Sequence, residues 1–138
     1  MGWNSWNLAN CAINETFFRA TVDALASKGY LEAGYQYINL DDCWMDTERD
    51  TDGNLQWGPN FPTGNTLGDY IHSKGLLCGI YTDVGPKTCA GYEGSFNHDE
   101  IDAKTYAEWY ADLAPLLLLD ISTIGHMSVF YGAGCMRL

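Results

Sequence analysis

Positive charge is scarce in this chain. Lysine and arginine together number 7 against 18 aspartates and glutamates, for a formal net charge of −11. That deficit excludes nucleic acid as a partner, because a nucleic-acid binder needs a basic footprint. It also argues against an anionic membrane surface. Long hydrophobic runs are missing as well. The longest, Leu113 to Leu119, contains Pro115 and falls far short of the roughly 20 residues a membrane-spanning helix needs. Gly2-Trp3-Asn4-Ser5-Trp6 follows Met1 directly, so no signal peptide is legible. No Gly-x-Gly-x-x-Gly or Gly-Lys-Ser/Thr opens a helix, which removes the usual phosphate loops. No Cys-x-x-Cys spacing occurs, so a zinc site is not expected, and nothing points to a cofactor.

What is present suits a folded domain. The 138 residues are 46% hydrophobic and 14% aromatic, enough for a core in one ordinary domain. Five cysteines occur, at 11, 43, 78, 89 and 135. The odd count leaves at least one unpaired within the chain. Asn14-Glu15-Thr16 is a glycosylation sequon. Cysteines and sequon together lean toward a secreted or extracellular protein, with vacuole or lysosome as the alternative.

The run Tyr35-Gln36-Tyr37-Ile38-Asn39-Leu40 reads as a strand apolar enough to be buried on both faces, as parallel strands are. It stops at Asp41-Asp42-Cys43-Trp44. Adjacent carboxylates repel and lose hydration, so they are best tolerated where donors or a ligand's hydroxyls satisfy them. A sugar fits, since a neighbouring Trp can stack on its C–H face. A solvated acidic turn is the competing account at this point.

The rest of the chain decides between them. Met1 to Trp6 reads as a first strand with its loop. Ile13 to Lys28 reads as a helix capped by Asn14, striped by Phe17, Phe18, Thr21, Val22, Leu25 and Ala26, and ended by Gly29. Leu67 to Lys74 is a short helix, Leu76 to Tyr81 a third strand, Asp99 to Leu113 a third helix and Leu116 to Leu119 a fourth strand. This alternation predicts a parallel α/β sheet built from βαβ crossovers. Trp6, Asp41, Asp42, Trp44, Tyr81 and Asp83 then all fall at carboxyl ends of strands, where such sheets bind ligands. Trp44 and Trp57 read as packing residues, Cys78 as a buried thiol, and Asp83 as the carboxylate fixing the turn around Gly85.

Met1-Gly2-Trp3-Asn4-Ser5-Trp6, Asp41-Asp42-Cys43-Trp44, His72-Ser73-Lys74-Gly75-Leu76, Gly79-Ile80-Tyr81-Thr82-Asp83-Val84-Gly85, Lys87-Thr88-Cys89-Ala90-Gly91 and Asp102-Ala103-Lys104-Thr105-Tyr106-Ala107 come in a fixed order. Together they resemble the α-galactosidases of glycoside hydrolase family 27, over residues 1 to 113. The resemblance implies a (β/α)8 barrel, of which this chain supplies the N-terminal half, and a retaining hydrolase of terminal α-galactosides. A galactose-containing oligosaccharide or glycoconjugate is the implied partner. Trp6 would pack against the galactose, Asp41 and Asp42 would accept from its 6- and 4-hydroxyls, and Tyr81 would line the floor near the anomeric carbon. Cys11 and Cys43 would form a disulfide. Cys89 would pair with a cysteine just after the nucleophile, a partner not identified in this chain.

Residues 114 to 138 depart from the family's pattern. Where the family ends its fourth strand on Lys-Tyr/Phe-Asp, the ungapped position of the nucleophile reads Leu117. Asp120 is the nearest acid, without the preceding Lys or following Cys. The acid/base Asp belongs to a later strand, beyond this sequence. A retaining glycosidase needs both carboxyls, about 5 Å apart, so the expectation is an α-galactosidase piece that keeps the sugar-recognising half of its site without turnover. A non-catalytic galactose-binding fragment or a non-functional truncated product is the alternative. A half barrel also leaves parallel edges open, from which poor solubility or a homodimer is expected.

Overall fold

The computed structural model describes residues 1–109. The fourth strand expected at 116–119, Asp120 and Cys135 lie outside the described residues. Three short strands form one sheet in the order β1-β2-β3: β1 (Gly2–Asn4), β2 (Tyr37–Leu40) and β3 (Leu77–Ile80). Both pairings are parallel, with Trp3 opposite Ile38 and Ile38 opposite Cys78. Helices connect them, as parallel neighbours require: α1 (Trp6–Ala9) and α2 (Glu15–Ser27) follow β1, α3 (Leu67–Ser73) follows β2, and α4 (Asp99–Glu108) follows β3. This is the β/α alternation of a partial (β/α)8 barrel.

The elements form for legible reasons. Asn14 caps α2, its Oδ1 accepting from Phe17 N at 2.8 Å. Phe18, Val22 and Leu25 recur at helical spacing and are buried, each worth about 1.5–3 kcal/mol of apolar burial. Lys28 ends the helix and Gly29 follows at φ +81°, a left-handed conformation that glycine adopts without penalty. The α2 face meets Ile38, Leu40, Leu67, Ile71 and Leu76 in one core. One side of the same core is aromatic. Trp44, wholly buried, lies 4.8 Å from Trp57 between ring centroids and 5.6 Å from Trp109. Trp44 and Trp57 are therefore packing residues, as their sequence context suggested. Cys78 is buried in β3.

One element differs from expectation. Trp6 to Ala9 forms the helical turn α1, where the sequence suggested only a loop. Four residues carry too little periodicity to announce a helix, and Asn4 supplies the local hydrogen bond that starts it.

Candidate functional site

The carboxyl ends of the three strands are laced together by hydrogen bonds that cross between loops. Ser5 N donates to Asn39 O at 3.2 Å, and Asp41 N donates back to Ser5 Oγ at 3.0 Å. The β1–β2 ladder thus continues one step past the strands, through a serine that is wholly buried. Asn4 Nδ2 donates to Asp41 Oδ2 at 2.7 Å. On the other side Tyr81 N donates to Leu40 O at 2.9 Å, and Trp44 Nε1 donates to Tyr81 O at 2.9 Å.

The two acids differ sharply in environment. Asp41 is half-buried; its Oδ1 accepts from Asp42 N at 2.8 Å. Asp42 is 1% exposed. Its Oδ1 accepts from Cys43 N and its Oδ2 from Ala90 N, at 2.8 and 2.9 Å. Backbone donors replace the water that burial removes, which is what a buried carboxylate needs. Asp41 therefore offers the accessible carboxylate, while the loop after β3 covers Asp42.

Cys43 turns the chain at φ +74°, a conformation that costs a non-glycine residue about 1–2 kcal/mol. It is joined to Cys11 by a disulfide with Cα atoms 5.2 Å apart. The cross-link ties the segment after α1 to this tight turn, next to Asp42.

Tyr81 follows β3 and is half-buried. Burial, then the negative charge of Asp42 and the neighbouring Cys89 and Asp83 side chains, pushes its phenol well above the ordinary tyrosine value. It stays neutral across the physiological range, and its hydroxyl is engaged in a side-chain hydrogen bond with Cys89. Asp83 fixes the next turn, as expected, accepting from Gly85 N at 2.7 Å. Cys89 is exposed in the same loop.

The structure thus brings Asp41, Asp42, Tyr81 and Cys89 to one end of the sheet and ties Trp6 to them through Asn4, whose Oδ1 accepts from Trp6 N at 2.9 Å. Among the described residues, a groove of about 640 Å³ lined by Gln56, Trp57, Asn65, Glu108 and Trp109 opens elsewhere, and none of these site residues lines it.

One supporting group escaped the sequence reading. The Arg49 guanidinium forks onto Asp102, Nη1 to Oδ1 at 2.6 Å and Nη2 to Oδ2 at 2.7 Å. It also donates to Gly53 O and Gly94 O, each at 2.8 Å. Burial alone would lower the Arg49 pKa, but the Asp102 carboxylate outweighs it and holds it above the ordinary value. The clamp joins the loop after β2, the loop after β3 and α4. The only hint in the sequence was a lone arginine among the acids of residues 46–52.

Parallel strands alternating with helices define a partial β/α barrel, and the acids and aromatics gather at the carboxyl ends of its strands, the face where such barrels bind ligands. Comparison with known proteins narrows the class. The sequence matches the family model described as alpha galactosidase A over residues 1–129. It is 53% identical over 115 residues to an alpha-galactosidase of Coffea arabica, covering 81% of this chain and 30% of that protein. The crystal structure of alpha-galactosidase I from Mortierella vinacea superposes with a TM-score of 0.79 at 42% identity, over 81% of this chain and 29% of the other. An alpha-galactosidase structure from Saccharomyces cerevisiae with raffinose gives 0.78 at 38% identity, over 81% and 25%. The chain belongs to the alpha-galactosidase family. It spans less than a third of the length of these relatives.

Proposed function

We propose that this stretch is the galactose-recognising part of a retaining α-galactosidase site. The observation that carries the reading is the strand-end acid pair, with Asp41 oriented from both sides and still accessible. Trp6 stacks on the sugar's C–H face. Asp41 and Asp42 accept from the 6- and 4-hydroxyls, Asp42 by exchanging the Ala90 N–H for a sugar hydroxyl. Tyr81, neutral and half-buried, lies toward the anomeric end. A galactoside is the expected ligand, in line with the raffinose held by one relative.

Recognition proceeds without turnover in this chain, because the position that the family resemblance gives the nucleophile reads Leu117 and Asp120 lacks the matching flanks. The Cys11–Cys43 disulfide and the exposed Asn14 of the sequon support a secreted glycoprotein. Among the described residues β1 and β3 each pair on one side only, and a second copy covers such an edge in a homodimer. Sedimentation as a monomer at micromolar concentration would remove the dimer.

The test of function is calorimetric binding of galactose and glucose, run beside hydrolysis of an aryl α-galactoside, with Asp41→Ala as control. Galactose preference lost in Asp41→Ala, without hydrolysis, is the expected result. Equal affinity for the two sugars would sink the recognition reading. Turnover abolished by Asp41→Ala would instead make Asp120 or another acid the nucleophile.

A further inference from the structure

We propose that Asn4 is a positioning residue that sets Trp6 and Asp41 relative to each other through the two ends of one amide. The inference rests on the reading above, in which those two residues hold one galactosyl ring.

Asn4 is the last residue of β1 and is half-buried. Its Nδ2 donates to Asp41 Oδ2 at 2.7 Å, across 37 residues of sequence. Its Oδ1 accepts from Trp6 N at 2.9 Å, an Asx-type turn that starts α1. The amide's orientation is fixed by this network. Flipped, it would set an oxygen against a carboxylate and an N–H against an N–H. A planar group with a donor at one end and an acceptor at the other holds both partners at a set separation and angle.

The other contacts of Asp41 leave its carboxylate unconnected to the Trp6 backbone, although its own N–H reaches Ser5, the residue before Trp6. Its Oδ1 accepts from the neighbouring Asp42 N, and its own N–H goes to Ser5 Oγ. Asn4 therefore supplies the side-chain link between the Trp6 backbone and the carboxylate oxygen of Asp41, while Ser5 holds the Asp41 backbone. Alanine removes both ends of it. Aspartate keeps the acceptor for Trp6 N but replaces the donor with a second negative charge facing Asp41. The two variants thus separate the two halves of the device.

The experiment uses the full 138-residue chain, ¹⁵N-labelled. Its first arm needs no sugar. Asp41→Ala should shift the Asn4 side-chain amide resonances, and Asn4→Ala should shift the Trp6 backbone amide, with the remaining spectrum native. The second arm titrates D-galactose and its 4-deoxy and 6-deoxy analogues.

Asn4→Ala and Asn4→Asp should each lose about tenfold in galactose affinity, since a misaimed charge-assisted acceptor forfeits most of its gain. Asn4→Asp should leave the Trp6 amide in place. In both variants the penalty for deleting the hydroxyl that Asp41 accepts should shrink, a change that general loosening of the fold would not confine to one hydroxyl. In an Asp41→Ala background, Asn4→Asp should cost little further. Galactose affinity within twofold of wild type in a natively folded Asn4→Ala, or losses that simply multiply, overturns the proposal. If the unaltered chain binds no galactose, the function proposed above fails, yet the first arm still decides the link: Asn4 resonances indifferent to Asp41→Ala would refute it.

Discussion

Replacing Asp102 with alanine should destabilise the fold by about 3–5 kcal/mol, the range for stranding a buried charge. The side chains of Arg49 and Asp102 are 8% and 2% exposed. Without the carboxylate, Arg49 keeps only its bonds to Gly53 O and Gly94 O. These are neutral acceptors, and arginine cannot shed its proton to escape. A domain of this size has about 5–15 kcal/mol in total, so the loss is about a fifth or more. At about 4 °C per kcal/mol, where the ranges for smaller and larger domains meet, the melting temperature should fall by roughly 12 °C or more. Urea unfolding followed by tryptophan fluorescence reads this directly, because Trp44 lies in the core and packs on Tyr106 of α4, the helix that carries Asp102. Arg49→Met combined with Asp102→Leu should recover most of the loss, since an apolar pair of similar volume leaves no orphaned charge. A cost below about 1 kcal/mol for Asp102→Ala would refute the reasoning. So would a double variant as weak as the single one.

Three further outcomes are expected. Burial pushes the Glu15 carboxyl up, but the Thr63 hydroxyl and N–H and the Arg19 guanidinium outweigh it and hold it below its ordinary value of 4.5. A depressed carboxyl stabilises fully above that value and loses its contribution as pH falls through the folded value. Glu15→Gln should therefore weaken the protein at pH 7 and matter little once wild-type Glu15 is protonated, as paired urea midpoints would show. Cys11→Ser opens a cross-link of sequence separation 32 and should cost about 3–4 kcal/mol by the chain-entropy relation. Adding reductant to the parent chain should match it, and a shift under about 1 kcal/mol would contradict the assignment. Saturating galactose should speed amide exchange at Ala90, whose N–H gives up Asp42 Oδ2. Unchanged or slower exchange would count against the hydroxyl taking its place.

Much of this was readable from local signals. The α2 helix announced itself through the Asn14 cap and the Phe18-Val22-Leu25 stripe, and its observed bounds, Glu15–Ser27, fall within the expected span. The strands were read from β-forming runs that stop at turn residues, and β2 ends at Leu40 as expected. Contacts between distant segments were not legible in this way. The Arg49–Asp102 fork spans 53 residues, and the Ala90 amide reaches Asp42 across 48. Neither pattern has a period or a propensity to betray it. The burial of Asp42 was likewise invisible, because it depends on where the loop after β3 comes to rest. Asn4 lies within the Met1–Trp6 motif, but only the fold brings its amide to Asp41.

The Cys11–Cys43 bond encloses the whole of α2 and reaches just past the end of β2. The enclosed stretch is covalently a ring. A protease cutting once within it, for instance at the exposed Lys28-Gly29, would open the backbone without releasing either piece. The nicked protein would migrate as one species on a gel until reductant is added, and then as two. Trp6 and Asp41 would remain on molecules still bound to one another, so the strand-end site would be physically retained through a cut that separates its residues in the backbone.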